Sequence, residues 1–303
     1  MTTGELLIEN VRLNKMIHGH LYAIRGKRVK PNTKGAHSYC YYFGDYVILK
    51  NISEIDVDKQ GVHLEEVFEE QKEFLNKLKN EQNVNTPELL CCYKGKHHFY
   101  KIEERAKGSV LSVHYPSTAK AIAFNTTVLD NNNTDVEIAN ESEIKPSEVQ
   151  QIGYAMYRYN VAMQKQLKEA DQKLFNKFVR DFKVLTLNHV YIDDGRSENF
   201  LFDKHHGFSF VDLEVGTCQT VMSDLDIARD VFSAFADFKT YLPYMSFQQQ
   251  KTILQNHEVI MCKVLEALKQ NHFNLTSAQW QYYENLAKSS KQEIAKISKE
   301  FKK

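Results

Sequence analysis

The sequence predicts an α+β chain of two parts: a small antiparallel sheet with one main helix over residues 1–104, and a larger, mostly helical part over residues 105–303. Two observations predict it. Runs rich in aromatic and β-branched residues come in pairs around turn residues in the first part, which is the mark of hairpins. Beyond residue 105 the apolar residues recur mainly at helical spacing, broken by a single hairpin near residues 200–211. The length of 303 residues is enough to bury one large core or two smaller ones.

In the first part, Ser38–Phe43 and Tyr46–Lys50 are strand-like and meet at Gly44-Asp45. Residues 62–79 read as a helix whose apolar stripe is Val67, Phe68, Phe74, Leu75 and Leu78. A second hairpin follows, Glu88–Tyr93 and His97–Glu103, turning at Lys94-Gly-Lys96. His97 and His98 are expected in its second strand, facing opposite sides.

In the second part, Ser109 to Asn125 reads as mixed and helical, and Asp130–Asp135 as a polar surface loop. Pro146 opens a helical pattern running to Leu167, and residues 174–182 form a shorter one. Ser223 starts a helix with Asp capping potential. Ser246 caps a pattern reaching about Lys269, and Ser277 begins another with Trp280, Tyr283, Leu286, Ile294, Ile297 and Phe301 on one face.

The candidate chemistry gathers at Ile192–Asp203 and Phe208–Glu214. Two apolar runs, Phe200-Leu-Phe and Phe208-Ser-Phe-Val, flank a turn with Gly207. Asp194 and Asn199 enter this hairpin and Asp212 leaves it. Two carboxylates and an amide at one base suit a hard cation, which takes oxygen ligands, and through it a phosphate. Asp193-Asp194-Gly195 is equally a turn sequence.

These residues resemble the protein-kinase-like superfamily, on the side of its divergent bacterial members, the aminoglycoside and choline kinases and effector kinases. Asp194-Gly-Arg-Ser-Glu-Asn199 is similar to the family's catalytic loop, and Asp212-Leu-Glu214 to its Asp-Phe-Gly segment. The resemblance implies a bilobal fold and ATP and Mg as cofactors. It implies Asp194 as the catalytic base, with Asn199 and Asp212 as metal ligands. Arg196 stands where protein kinases keep a phosphate-neutralising lysine; a plain surface arginine is the other reading. Tyr46-Val-Ile-Leu-Lys50 resembles the strand whose lysine meets the nucleotide's phosphates, with Glu70 as its acidic partner. Glu103 and Glu104 stand at the segment whose backbone would meet the adenine. Gly35 is the one glycine placed to cover a phosphate, although Pro31–His37 is no glycine-rich signature and an ordinary turn accounts for it. Asp226-Ile-Ala resembles a segment that braces the catalytic loop.

The chain departs from the family at Ile192 and Asp193, which replace its usual His and Arg, and at Glu214, which replaces Gly. Three functions stay open on the one fold: a kinase with a small-molecule, lipid-headgroup or protein hydroxyl as acceptor, a pseudokinase scaffold, and an AMP transferase. Lys+Arg and Asp+Glu balance at 39 each, so net charge makes no case for nucleic acid. No apolar run has the length of a membrane span. The five cysteines lack a Cys-x-x-Cys and read as reduced thiols. Without an N-terminal signal pattern, the expected location is the cytoplasm, or a host cell reached by a route that needs no such signal.

Overall fold

The computed structural model describes residues 11–34, 38–54, 57–111, 148–192, 199–215, 222–239 and 242–300. The chain divides into two compact units with a break between Ala106 and Lys107. Asp130–Asp135, Pro146 and most of Ser109–Asn125 lie outside the described residues.

The first unit is a mixed α+β layer. Its five strands are β1 (Thr33–Lys34), β2 (Ser38–Phe43), β3 (Tyr46–Asn51), β4 (Leu89–Lys94) and β5 (Phe99–Glu104), antiparallel in the order β1-β2-β3-β5-β4. Both expected hairpins are present. Gly44 takes φ +58°, a left-handed turn conformation that costs glycine no Cβ clash. The second turn is longer than expected: Gly95 donates its N–H to the His98 carbonyl at 2.8 Å, so His97 and His98 stand in the turn and the strand starts at Phe99.

Directly opposed residues share a sheet face, so the registers define three cross-strand rows on one side. They are Phe43–Tyr46–Glu104, Tyr41–Ile48–Ile102–Cys91 and Tyr39–Lys50–Tyr100–Tyr93. A helix the sequence reading passed over, α1 (Val11–Arg25), covers this face. Its Ile17, Leu21 and Ile24 are buried against Tyr41, Tyr46, Ile48, Cys91, Tyr100 and Ile102. At the first row the His20 ring stacks on Phe43 at 3.9 Å, and His20 Nδ1 lies 2.5 Å from the Tyr46 hydroxyl. At the third row Arg25 donates to the Tyr93 hydroxyl at 2.9 Å.

The expected helix of this unit is α2 (Val57–Gln82), longer at both ends than its apolar stripe indicated. It packs on β4 and β5 and buries Phe68, Leu75 and Leu78. Asn76 Nδ2 donates to the Leu89 carbonyl, and Glu65 pairs with Lys94.

The second unit is mostly helical. It contains α3 (Val149–Glu169), α4 (Gln172–Leu187), α5 (Asp224–Ser233), α6 (Phe247–Gln270), α7 (Ser277–Ala287) and α8 (Ser290–Glu300). Ser246 caps α6 with Gln249 in a reciprocal capping box, as its position suggested. The last pattern proves to be two helices. The first begins at Ser277 as expected, capped by Thr276, and α7 stops at Ala287 before α8 starts at Ser290. Ser109–Val110, expected in a helical stretch, is a short strand, β6, paired to Leu201–Phe202. Gly108 makes that pairing possible: at φ +108° a Cβ there would stand 2.5 Å from the Phe202 backbone.

The core of this unit is a phenylalanine cluster. Phe178 of α4 has ring centroids of Phe182, Phe200, Phe208, Phe210 and Phe235 between 4.7 and 6.1 Å away. Edge-to-face and offset contacts of this kind add to plain area burial. Phe178→Ala should cost about 3–5 kcal/mol through the cavity it leaves. A urea-unfolding midpoint within error of wild type would contradict the placement of Phe178 at the centre.

Candidate functional site

The hairpin in the second unit is β8 (Phe200–Asp203) and β9 (Gly207–Phe210), in the register Phe200↔Phe210. Gly207 takes φ +78° to close the turn. Asp203 Oδ1 accepts the backbone N–H groups of His205 and His206 at 2.8 Å and meets His206 Nδ1 at 2.7 Å. Burial alone would raise the Asp203 carboxyl; hydrogen bonds from His206 and His205 outweigh it and hold it below the usual aspartate range. Asp203 therefore acts as the turn's staple.

At the open end the ladder continues by one bond: Val211 N–H donates to the Asn199 carbonyl at 3.0 Å. Beyond it, β10 (Leu213–Val215) pairs antiparallel with β7 (Val190–Ile192), setting Leu213 opposite Ile192. Asp212 lies between these two attachments. The chain thus leaves the pair at Ile192 and returns at Asn199, and both anchor points are bonded to the immediate neighbours of Asp212. Asp194 and Arg196 belong to residues 193–198, outside the described residues, as does Gly35 of the first unit.

Asp212 is exposed and has φ +56°, the left-handed region that costs most side chains energy and that aspartate tolerates better than most. Its carboxylate and the Asn199 amide oxygen are hard donors of the kind Mg²⁺ takes, with phosphate oxygens completing the shell. Among the described residues no group of three or more His, Cys, Asp or Glu is placed to hold a metal. Asp226 makes a local bond: its carboxylate accepts from the Ser223 N–H and hydroxyl in the capping box of α5.

In the first unit, Lys50 stands at the α1-covered face in the row Tyr39–Lys50–Tyr100–Tyr93. Burial lowers its pKa, the neighbouring Lys27 lowers it further, and Glu54 opposes both. Glu70 is exposed on α2, and among the described residues no ion pair joins it to Lys50. The strand alternation explains this: Lys50 shares its face with Ile48, which is buried under α1 rather than α2. Glu103 lies opposite Val47 and Leu89, and Glu104 opposite Tyr46. The Glu104 carboxylate meets Lys79 Nζ at 2.7 Å, and its N–H donates to the Glu88 carbonyl at 2.8 Å. Arg105 N–H donates to Asp45, so these two backbone donors are taken.

Two further residues with electrostatic links to Lys50, His98 and Lys27, were given no functional role from the sequence. His98 has its pKa lowered by burial and then by Lys50, and Lys27 follows α1 at φ +53°. The acid-free basic stretch Arg25–Lys34 is the signal that could have found Lys27. Burial also pushes the Cys91 and Cys92 thiols up to about 12, which makes them poor nucleophiles. Among the described residues no helix is long and apolar enough to cross a membrane.

No family model and no curated protein matches the chain. Similar solved structures include an aminoglycoside phosphotransferase from Streptomyces rimosus solved with ADP and streptomycin, at 12% identity and TM-score 0.35, covering 89% of this chain and 97% of that one. The bifunctional kinase-methyltransferase WbdD is similar at 12% identity and TM-score 0.35, covering 88% and 50%. An aminoglycoside-3'-phosphotransferase of type VIII is similar at 13% identity and TM-score 0.32, covering 90% and 98%.

Two outcomes follow from this geometry. Asp212→Ala should cost about 1–2 kcal/mol because alanine pays the left-handed backbone in full, whereas Asp212→Gly should not. Equal unfolding midpoints for the two variants would contradict the backbone assignment. His20 is held below the 6.5 of the unfolded chain by burial. The unfolded state therefore binds more protons just below that pH, and the contribution is complete above it and lost as pH falls towards the folded value. His20→Phe keeps the ring stack and should lessen the drop in melting temperature between about pH 7.5 and 5.5.

Proposed function

We propose that this protein is a Mg-ATP-dependent phosphotransferase acting on a hydroxyl acceptor. The observation that supports it most is the double anchoring around Asp212, which ties both ends of the segment carrying Asp194 and Arg196 to the residues flanking one exposed carboxylate. Phosphoryl transfer asks a protein mainly for positioning and charge neutralisation, and this arrangement suits both.

On this reading Asn199 and Asp212 hold the Mg²⁺, which neutralises the phosphate oxygens when bound. Lys50, taken within the first unit, is a phosphate-binding group on this reading, and its lowered pKa is consistent with a lysine partly withdrawn from water. The acceptor oxygen bonds to the γ-phosphorus as the bond to the β–γ bridging oxygen breaks. ADP leaves with that electron pair, and the acceptor's proton passes to Asp194. Arg196 would supply positive charge to the transferring group. The acceptor is a small alcohol, a lipid headgroup or a protein side chain. Glu70 has no part in this scheme, because Lys50 stands on the face that α1 covers.

One observation favours a second reading, a scaffold that binds no nucleotide: Ile17, Leu21 and Ile24 of α1 bury the two rows next to Lys50 on its face. A melting curve with ATP, with and without Mg²⁺, separates the two. Phosphotransfer expects a Mg-dependent rise, and the scaffold expects none. Asp212→Asn keeps a residue tolerant of the left-handed backbone but removes the charge. It should keep the wild-type melting temperature and lose Mg-ATP consumption by about a hundredfold or more. Undiminished turnover in that variant removes the metal role.

A further inference from the structure

Helix α1 turns Ile17, Leu21 and Ile24 onto the sheet, and its opposite side is exposed. Gly26 continues the helix by bonding its N–H to the Tyr22 carbonyl at 2.9 Å. Arg12, Lys15, Gly19, Tyr22 and Gly26 follow one another at three- and four-residue intervals, so they form one outward stripe. Met16 flanks the stripe on one side, and His18 and Arg25 flank it on the other. Met16 is 47% and Tyr22 64% exposed, so the face carries two bulky side chains as well as its cations. A Cβ on Gly19 would have no neighbour within 4 Å among the described residues, which leaves the middle of the stripe open.

The turn after the helix adds charge to the same side. The Arg28 guanidinium lies over the Tyr22 ring, 5.2 Å from its centroid. The Arg28 N–H bonds to the Ala23 carbonyl at 2.9 Å and that of Lys27 to the Ile24 carbonyl at 3.0 Å, so the turn is held against the helix end. Val29 packs on the apolar cluster, while Lys27, Arg28 and Lys30 are exposed. Among the described residues no ion pair joins Lys15, Arg28 or Lys30 to an acid. From Asn10 to Gly44 the chain has seven Lys and Arg and no Asp or Glu, which leaves 32 basic against 39 acidic residues elsewhere, a balance of −7. An anionic surface therefore attracts this segment while it repels the net charge of the remainder, and that sets one orientation.

We propose that the outward face of α1 and the turn at Lys27–Lys30 dock the protein peripherally on an anionic lipid surface. The cations stand towards the two ends of the stripe, with Met16, Gly19 and Tyr22 between them. Anionic headgroups take the cations. The boundary with the acyl chains takes the Met16 thioether and the Tyr22 ring, whose hydroxyl stays among the headgroups. A nucleic-acid backbone would use the cations alone, and the middle of the stripe offers no amide or guanidinium to read base edges. This surface goes beyond the phosphotransfer reading, uses none of the residues assigned to it and involves no membrane span.

Co-sedimentation of the full chain with vesicles tests it, using phosphatidylcholine alone and phosphatidylcholine with about 30% phosphatidylserine in about 0.1 M salt. Binding is expected to the anionic vesicles and not to the neutral ones. Replacing Lys15, Arg28 and Lys30 together by Gln should weaken it about a hundredfold, at roughly fivefold per cation. Met16→Ser with Tyr22→Ser should weaken it about tenfold at unchanged net charge. All five side chains are exposed, so the variants should keep the wild-type circular dichroism and melting temperature. Lys165, Lys173 and Lys204, exposed in the second unit, replaced together by Gln remove the same charge and should leave binding within about twofold of wild type. The proposal is overturned if the anionic vesicles are not bound, if neutral vesicles are bound equally, if either set of first-unit variants binds as wild type, or if the second-unit triple weakens binding as much. Tighter binding of a DNA duplex or of polyglutamate through the same residues also overturns it and assigns the face to that partner. Mg-ATP consumption is read separately. Vesicle binding without turnover removes phosphotransfer and keeps the surface, and turnover without vesicle binding does the reverse.

Discussion

The second unit depends on the contact between α4 and both strands of one hairpin. Phe200, Phe202, Phe208 and Phe210 are all buried, and Phe178 touches three of the four. A two-stranded hairpin alone is barely stable in water, so this aromatic packing is what makes it a firm element. It also leaves the hairpin little room for polar side chains along its length. The polar groups collect at its ends: Asp203 with its turn, and Asn199 with Asp212 at the open base. The position of the candidate metal donors is thus a consequence of hydrophobic packing several residues away.

A comparable constraint acts in the first unit. Helix α1 lays Ile17, Leu21 and Ile24 over the middle of the sheet and leaves Lys50 at the margin of the covered area. The lysine lies in an aromatic row, partly withdrawn from water, beside the end of the helix and the turn at His98. Its charge neighbours are therefore Lys27, His98 and Glu54 rather than an acid of α2. Two acids of α2 are engaged elsewhere, Glu65 with Lys94 and Glu69 with Lys72.

Legibility in the sequence followed the range of the interaction. The Gly44-Asp45 hairpin, the hairpin around Gly207 and the Ser246 cap are set by neighbours a few residues apart, and all were readable. The core of α2 was readable from its stripe, but not its first turns, which carry no clear apolar period. The break between α7 and α8 was hidden because the apolar stripe runs on through it. Helix α1 does have the spacing Leu13, Ile17, Leu21, Ile24, yet His18-Gly19-His20 in its middle masks the pattern. Gly19 is tolerated there at the usual small cost of a helical glycine.

For the candidate site, the sequence alone determined that Asn199 and Asp212 share a hairpin base, because a four-residue strand, a short turn and another strand leave few other registers. That Ile192 returns beside the same base, opposite Leu213, was not read from the sequence, because the pairing of β7 with β10 is long-range. Only the tertiary structure decided which face Lys50 shares and with whom. Side chains alternate along a strand, so the face was predictable only relative to Ile48, and which helix covers it is a matter of long-range packing.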